Sequence, residues 1–276
     1  MAEFLFIPKR LARSAPALGR AAQWLEAQAF RFIFALVGSL SPERANAWAA
    51  FAFGLLGPHT AKAKKANINL SIAFPDKSEQ WRRDTVHQIF RSLGKSTAEL
   101  IKLQQIWNER EKRLQFEISE ETRAHIEAGH PIVFVCAHIG PWQLTNLISL
   151  HCGLNISTVF AAESNPAMRD TMLQLRQSFG VNLIPTDAGV RPLLKELQQG
   201  NSIGLAMDTR LDTGELIPYF GREALTNTSA ARLALRTGAV LVPIRAQRLG
   251  QAQYKVTAYD PLSIDEPELS RDEMAT

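Results

Sequence analysis

The continuous apolar run at residues 132–137 (IVFVCA), which ends at His138, is the feature that most constrains the fold. A run with no polar alternation is typical of a parallel strand whose two faces are both covered. Gly140 and Pro141 follow the histidine. Glycine allows a tight turn, and proline suits the first turn of a helix. We therefore predict a buried strand, a turn, and a helix over residues 142–152.

The same alternation of strand and helix continues after this unit. It favours an α/β fold in which a layered, mostly parallel sheet is flanked by helices. Ligands of such sheets bind beyond the carboxyl ends of the strands, and His138 and Asp208 each follow a predicted strand directly. The further predicted strands lie at residues 154–161, 181–185, 202–207, 239–246 and 253–259, and the further helices at 165–179, 190–199 and 226–237.

Residues 1–105 read as mostly helical, and the first part of this region is both basic and apolar. Residues 1–65 carry nine Lys and Arg against three Asp and Glu, together with many large apolar side chains. This combination favours an anionic membrane surface over nucleic acid, for which no recognition motif is present. We expect membrane-associating helices at 1–65 and an α/β domain at 66–276, which together form one continuous domain. The alternative is a pair of amphipathic helices that pack on the protein's own core.

The length and composition limit the other classes of protein. A chain of 276 residues, with 46% hydrophobic and 21% charged residues, can bury a substantial core. Neither apolar stretch, 28–40 or 48–57, reaches the roughly 20 residues needed to span a bilayer. The start of the chain lacks the apolar core and cleavage site of a signal peptide. The two cysteines lack metal-site or disulfide-scaffold spacing, so we expect no metal site and a reducing compartment.

His138 is the candidate for acid–base chemistry. A neutral imidazole at a strand end can take a proton from a hydroxyl group, provided that an acceptor holds its other ring nitrogen. Five positions on, where a carboxylate would serve, the chain has the amide Gln143. A buried structural histidine is the alternative interpretation. No Gly-x-Ser-x-Gly elbow or Walker-type glycine loop is present. His125, His130 and His151 read as surface or loop residues.

Several blocks, in order along the chain, resemble the bacterial lipid A biosynthesis acyltransferases. AHIGPWQ at 137–143 is similar to the family's His-x-Gly-Asn-Trp-Glu motif, a form of the His-x4-Asp/Glu signature of the lysophospholipid acyltransferase superfamily. The resemblance covers residues from about 10 to 262. The other blocks are KANINLSIAFPD at 65–76, SLGKSTAEL at 92–100, the segment 163–185 and the segment 206–244.

The resemblance implies acyl transfer from acyl carrier protein, or from acyl-CoA, to a hydroxyl of a lipid A precursor. It places the protein at the cytoplasmic face of the bacterial inner membrane, with His138 as general base and no cofactor beyond the acyl donor. Arg176 and Arg169 are candidates for phosphate contacts, because Arg can bind phosphate through two parallel hydrogen bonds. The further substrate-binding candidates are Trp142 as a wall of the site, Asn165 as a headgroup ligand or helix cap, and Gly140.

Two features depart from the family pattern. Gln143 replaces the family acid, and an amide can accept a hydrogen bond from the imidazole but cannot supply a full charge. We expect Asp208 to supply that charge and Gln143 to orient the ring, whereas the alternative for Asp208 is a turn cap. The second departure is the ending SRDEMAT, which suggests truncation or an ending of its own. The competing hypotheses are an inactive lipid-binding homologue and an acyltransferase for another glycolipid or phospholipid.

Overall fold

The computed structural model describes residues 16–161, 172–173, 175–177 and 180–263. Its N-terminal part is helical, as predicted. Serine hydroxyls cap two of these helices: Ser41 accepts a hydrogen bond from the backbone N–H of Arg44, and Ser78 from that of Trp81. The helices are α1 (Pro16–Ser39), α2 (Pro42–Leu56), α3 (Ala61–Ala73), α4 (Glu79–Ile101), α5 (Leu103–Asn108) and α6 (Arg110–Arg113), with a 3-10 turn at Gly57–His59 between α2 and α3.

Helix α2 packs closely on α4. A Cβ atom at Gly94 of α4 would lie 2.3 Å from the carbonyl oxygen of Ala49, so only glycine permits this approach. The side-chain amide of Asn46 in α2 also donates to the hydroxyl of the fully buried Tyr254, at 3.0 Å. Part of the basic, apolar N-terminal region therefore lies against the rest of the fold. In the described part of the chain, no helix combines the length and apolar character needed to cross a membrane.

A seven-stranded, mostly parallel sheet forms the centre of the protein, which confirms the predicted α/β architecture. Its order is β1-β9-β8-β2-β5-β3-β4, and every neighbouring pair is parallel except β8 and β9. The strands are β1 (Leu114–Ile118), β2 (Ile132–Cys136), β3 (Ile156–Phe160), β4 (Val181–Pro185), β5 (Ser202–Ala206), β8 (Val240–Gly250) and β9 (Gln253–Ala258). Helices α7 (Glu120–Glu127), α8 (Ile148–Cys152), α9 (Arg191–Gln198) and α10 (Ser229–Thr237) and a 3-10 turn at Thr186–Ala188 connect them.

Both faces of the sheet are covered, as the unbroken apolar run of β2 requires. Side chains of successive strand residues point to opposite faces. Ile132 and Phe134 therefore pack in one core cluster, with Leu144 and Leu147, whereas Val133 packs in the other. The helices α9 and α10 contribute Leu193, Leu197 and Leu233 to that second cluster. The carboxyl end of β2 is thereby held between two layers.

Several details differ from the sequence prediction. The segment 142–152 begins as a 3-10 turn (Trp142–Leu147) and becomes α-helical only at α8. The predicted helix at 226–237 starts three residues later, because Thr226 still pairs in a strand. That strand belongs to an unpredicted antiparallel hairpin, β6 (Arg210–Tyr219) and β7 (Arg222–Thr226). The prediction also omitted β1 and α7, whose short amphipathic stretches carry weak local signals.

Candidate active site

His138 and Asp208 form a hydrogen-bonded pair at the carboxyl ends of two adjacent parallel strands. The register pairs Cys136 at the end of β2 with Ala206 at the end of β5. Each functional residue lies two positions further on, so the two meet although 70 residues separate them in the chain. His138 Nδ1 lies 2.7 Å from Asp208 Oδ1, and the backbone N–H of His138 donates to Oδ2 at 2.9 Å. One carboxylate therefore holds both the ring and the backbone of the histidine.

This contact leaves the second ring nitrogen of His138, Nε2, for other partners. Within the described segments, no side chain forms a hydrogen bond with Nε2. The side chains of His138 and Asp208 are 42% and 40% exposed, so a substrate can reach them. The Trp142 ring stands edge-on to the imidazole, with ring centroids 5.4 Å apart. An imidazole held through Nδ1 by a carboxylate, with Nε2 accessible, is arranged to accept a proton at Nε2.

The turn after His138 is anchored from two sides. Gly140 has a φ of +58°, and a Cβ atom there would lie 3.3 Å from the carbonyl oxygen of Ala246. The buried Ser96 hydroxyl of α4 donates to the carbonyl of Gly140 at 2.8 Å, and Arg248 of β8 donates to that hydroxyl at 2.8 Å. The predicted glycine turn is thus present, although its role in substrate binding stays a prediction. Local sequence carries no signal for the contribution of Arg248, which depends on β8 extending beyond the predicted strand end.

The position of Gln143 differs from expectation. It lies in the 3-10 turn that follows the histidine, and its Oε1 is buried without a hydrogen-bond partner among the described residues. The expected hydrogen bond from the imidazole to Gln143 is therefore wrong for this structure. The physical reason is that Asp208 already occupies Nδ1, the nitrogen that an orienting acceptor would hold.

A cavity of about 280 Å³ opens beside His138, and we call it the first cavity. Most of its wall is apolar, with Phe134, Ile156 and Leu183 among the lining residues, while Gln143 adds polar atoms near the histidine. Arg176 also lines the cavity, and its guanidinium carbon lies 6.0 Å from the centroid of the Phe160 ring. Asn165 and Arg169, the other predicted headgroup contacts, lie outside the described residues.

The remaining titratable candidates do not share the geometry of His138. Burial raises the pKa of the Cys136 thiol to about 11, so this cavity residue is protonated at neutral pH and is no thiolate nucleophile. His125 and His130 form a hydrogen bond between their Nδ1 atoms at 3.0 Å, and the His151 ring stacks on the Phe116 ring. In the segments that the structure covers, no three His, Cys, Asp or Glu side chains form a group able to hold a metal ion.

Comparisons with known proteins place the chain in a family. The family model described as "Bacterial lipid A biosynthesis acyltransferase" matches residues 10–275. The chain is 24% identical over 187 residues to the lipid A biosynthesis myristoyltransferase of Escherichia coli (strain K12), covering 66% of this chain and 57% of that protein. It is 26% identical over 125 residues to a phosphatidylinositol mannoside acyltransferase of Mycobacterium tuberculosis (strain ATCC 25618 / H37Rv), covering 44% and 40%. The matched region thus spans little more than half of these relatives, or less.

Proposed function

The chain belongs to the bacterial lipid A biosynthesis acyltransferase family, and on this premise we propose that it transfers an acyl chain to a hydroxyl group of a lipid A precursor. The donor in this proposal is a thioester of acyl carrier protein or of coenzyme A. The thioester already carries an activated acyl group, so the transfer needs no cofactor. The observation that carries the proposal is the His138–Asp208 pair beside an apolar cavity.

In the proposed reaction, Nε2 of His138 takes the proton of the acceptor hydroxyl as its oxygen attacks the thioester carbonyl carbon. The carbon–sulfur bond then breaks, and the departing sulfur receives the proton from the imidazolium. The products are an ester and a thiol, so atoms and charge balance. Asp208 stabilises the imidazolium and keeps the ring in the tautomer that accepts at Nε2. The 2.7 Å contact with Nδ1 supports this role.

We further propose that Asp208 replaces the charge that the family acid supplies and Gln143 lacks. The same contact argues against the competing hypothesis of an inactive lipid-binding homologue, because a histidine held this way retains its acid–base partner. Gln143 then contributes the shape and polarity of the cavity wall rather than a charge. The first cavity would hold the acyl chain, and Arg176 in its wall would contact a phosphate group of the substrate.

The proposal also places the protein on the inner-membrane surface, where a lipid acceptor is found. Exposed apolar side chains on α1 and α2 support it, and basic residues such as Arg31 and Arg44 accompany them. Such a surface fits an anionic bilayer. Vesicle sedimentation tests this: we expect binding to phosphatidylglycerol-containing vesicles and less to phosphatidylcholine alone, and F51S/L55S to weaken both. Equal recovery in the supernatant with every vesicle would refute it.

An acyl-transfer assay in detergent micelles tests the enzymatic proposal. The donor is acyl carrier protein loaded with a labelled acyl chain, and the acceptor is a lipid A precursor. We expect H138A to abolish transfer and D208N to lower kcat by roughly 10³–10⁴-fold, as for a base that has lost its charged partner. H125A is the control, because that histidine is remote from the pair and should retain parent activity.

The outcomes separate the hypotheses. Retention of activity in D208N would refute the charge role of Asp208. A silent parent that gains transfer through Q143E would show that the family acid, rather than Asp208, is the missing requirement. Silence of the parent and of every variant, with lipid binding intact, would favour the lipid-binding homologue over the enzyme.

A further inference from the structure

A second cavity, of about 470 Å³, lies beside the same catalytic turn but on the other face of the sheet. It is bordered by the carboxyl ends of β2 and β5, by the first half of β8, by α10 and by the β6–β7 hairpin. Its volume falls in the range of about 300–1,000 Å³ that is usual for ligand sites. We call it the second cavity, and its characteristic lining residues are Val135, Met207, Ile217, Ala231, Pro243 and Tyr259.

The two cavities are adjacent and share part of their walls, namely Cys136, Trp142, Thr145 and Ile244. Val135 and Met207, which line the second cavity, pack with the core cluster on the opposite face of the sheet from Phe134, which lines the first. The two cavities approach each other at the turn that carries His138, where Trp142 lines both. His138 lines the first cavity, and a molecule in the second cavity can approach the imidazole past the shared Trp142.

The rim of the second cavity carries a cation without a partner among the described residues. Arg245 lines the cavity, is exposed, and forms no hydrogen bond or ion pair with another described side chain. Glu215, a carboxylate of the hairpin that borders the cavity, forms hydrogen bonds with Thr228 and Arg232 at 2.9 and 2.7 Å instead. An apolar cavity with an unneutralised guanidinium at its rim matches a hydrocarbon chain attached to an anionic group.

We propose that the second cavity holds a hydrocarbon chain of the acceptor lipid and that Arg245 contacts an anionic group of that lipid. The inference rests on the proposed function, because acyl transfer from a thioester to a lipid requires the donor chain and the acceptor to reach His138 together. The first cavity has His138 in its wall and takes the acyl chain of the donor. The thioester carbonyl carbon of the donor then lies at the imidazole. The acceptor lies across Trp142, and its hydroxyl enters between Trp142 and the exposed Ile139.

Photo-crosslinking tests this assignment without requiring turnover. The acceptor-class probe is a phosphatidic acid with a diazirine near the end of one chain, in detergent micelles, and the donor-class probe is an acyl-CoA with a diazirine in the same place. We expect the lipid probe to modify peptides that contain Met207 or Ile217 and the donor probe to modify those of the first cavity. Reversed labelling, or lipid adducts confined to the first cavity, would overturn the assignment.

A variant that fills each cavity sharpens the test. A231F fills the second cavity from α10. G204V fills the first, where a Cβ atom would have 3.7–3.8 Å to its nearest neighbours. We expect A231F to lower lipid labelling by about tenfold, the scale on which hydrophobic pockets discriminate, and G204V to leave it unchanged. A124F, on an exposed position of α7, is the matched control. Unchanged lipid labelling in A231F would refute the proposal.

The surface variant R245Q guards against a failure of A231F to fold. It should weaken labelling by phosphatidic acid but not by a diacylglycerol probe with the same diazirine chain, whereas equal labelling by both would remove Arg245 from the site. In the transfer assay, A231F should raise KM for the acceptor and leave the preference for donor chain length unchanged.

The outcomes separate the two proposals. Lipid labelling of the second cavity in a protein without transfer would refute the enzymatic function alone. Transfer without such labelling would refute this inference alone.

Discussion

Replacing Arg248 by Met is expected to destabilise the fold strongly, because it would leave the carboxylate of Glu99 buried without its charged partner. Glu99 is 1% exposed, and Arg248 donates to both of its oxygens, from Nε at 2.6 Å and from a terminal nitrogen at 2.8 Å. The Asn46 amide also donates to this carboxylate, at 3.4 Å, and the Tyr254 hydroxyl is a further neutral partner. Neither neutral group can replace a bidentate guanidinium.

The expected cost of R248M is about 3–5 kcal/mol, the usual penalty for removing one member of a buried ion pair. For a chain of this size it corresponds to a fall in Tm of about 6–20 °C. The double variant E99L/R248M removes both charges and replaces them with apolar groups, so it should lie within about 2 kcal/mol of the parent. Equilibrium urea unfolding, followed by tryptophan fluorescence, measures all of these free energies of unfolding.

The double variant distinguishes the cost of the unpaired Glu99 carboxylate from the cost of losing the other contacts of Arg248. If R248M unfolds within about 1 kcal/mol of the parent, the buried carboxylate is not the dominant cost. If E99L/R248M is as unstable as R248M, the loss arises from the hydrogen bonds of Arg248 to Ser92 and Ser96 instead. The substitution E99L alone should also be costly, since it leaves the guanidinium without its carboxylate.

Three further predictions follow from single contacts. The hydrogen bond from Arg113 lowers the pKa of Glu43 from 4.5 to about 2, so its contribution to stability is present above pH 4.5 and lost as the pH falls towards 2. E43Q should flatten the acid limb of stability against pH, and an unchanged slope there would contradict this. G94A should lower the free energy of unfolding in urea by about 1–3 kcal/mol through overpacking. The control is G38A, because a Cβ atom added there would meet no atom within 4 Å, and it should stay within about 1 kcal/mol of the parent. Because burial raises the pKa of Cys136 to about 11, iodoacetamide at pH 8 should alkylate it far more slowly in the native protein than in urea, and equal rates would refute that.

The His138–Asp208 pair shows how much of a candidate site can be predicted from local sequence. The apolar run before His138 and the position of Asp208 just past a predicted strand placed both on the ligand side of a parallel sheet. Their direct contact depends on the pairing of β2 with β5 in one register, which positions equivalent residues opposite each other. Hydrophobic periodicity reports that a strand is buried, but it does not report which strand lies beside it.

The residues that sequence reasoning misplaced or missed share a dependence on distant partners. Gln143 was expected on the imidazole, but Asp208 from another strand holds the relevant nitrogen. Arg248 supports the turn after His138 only because β8 continues past the predicted strand end, antiparallel to β9. The hairpin of β6 and β7 escaped prediction because its strands are largely exposed, so they lack the apolar pattern that burial imposes.

Local sequence patterns were enough to predict a covered, mostly parallel α/β sheet with a histidine at a strand end, and the ordered motifs indicated the family. These properties depend on apolar periodicity, turn residues and residue order, all of which are local. Three features follow instead from how the chain packs: Asp208 holds His138, Glu99 and Arg248 share one buried ion pair, and two cavities meet at Trp142. Those features arise from strand register and from packing between segments far apart in the chain, whose free energy no local pattern records.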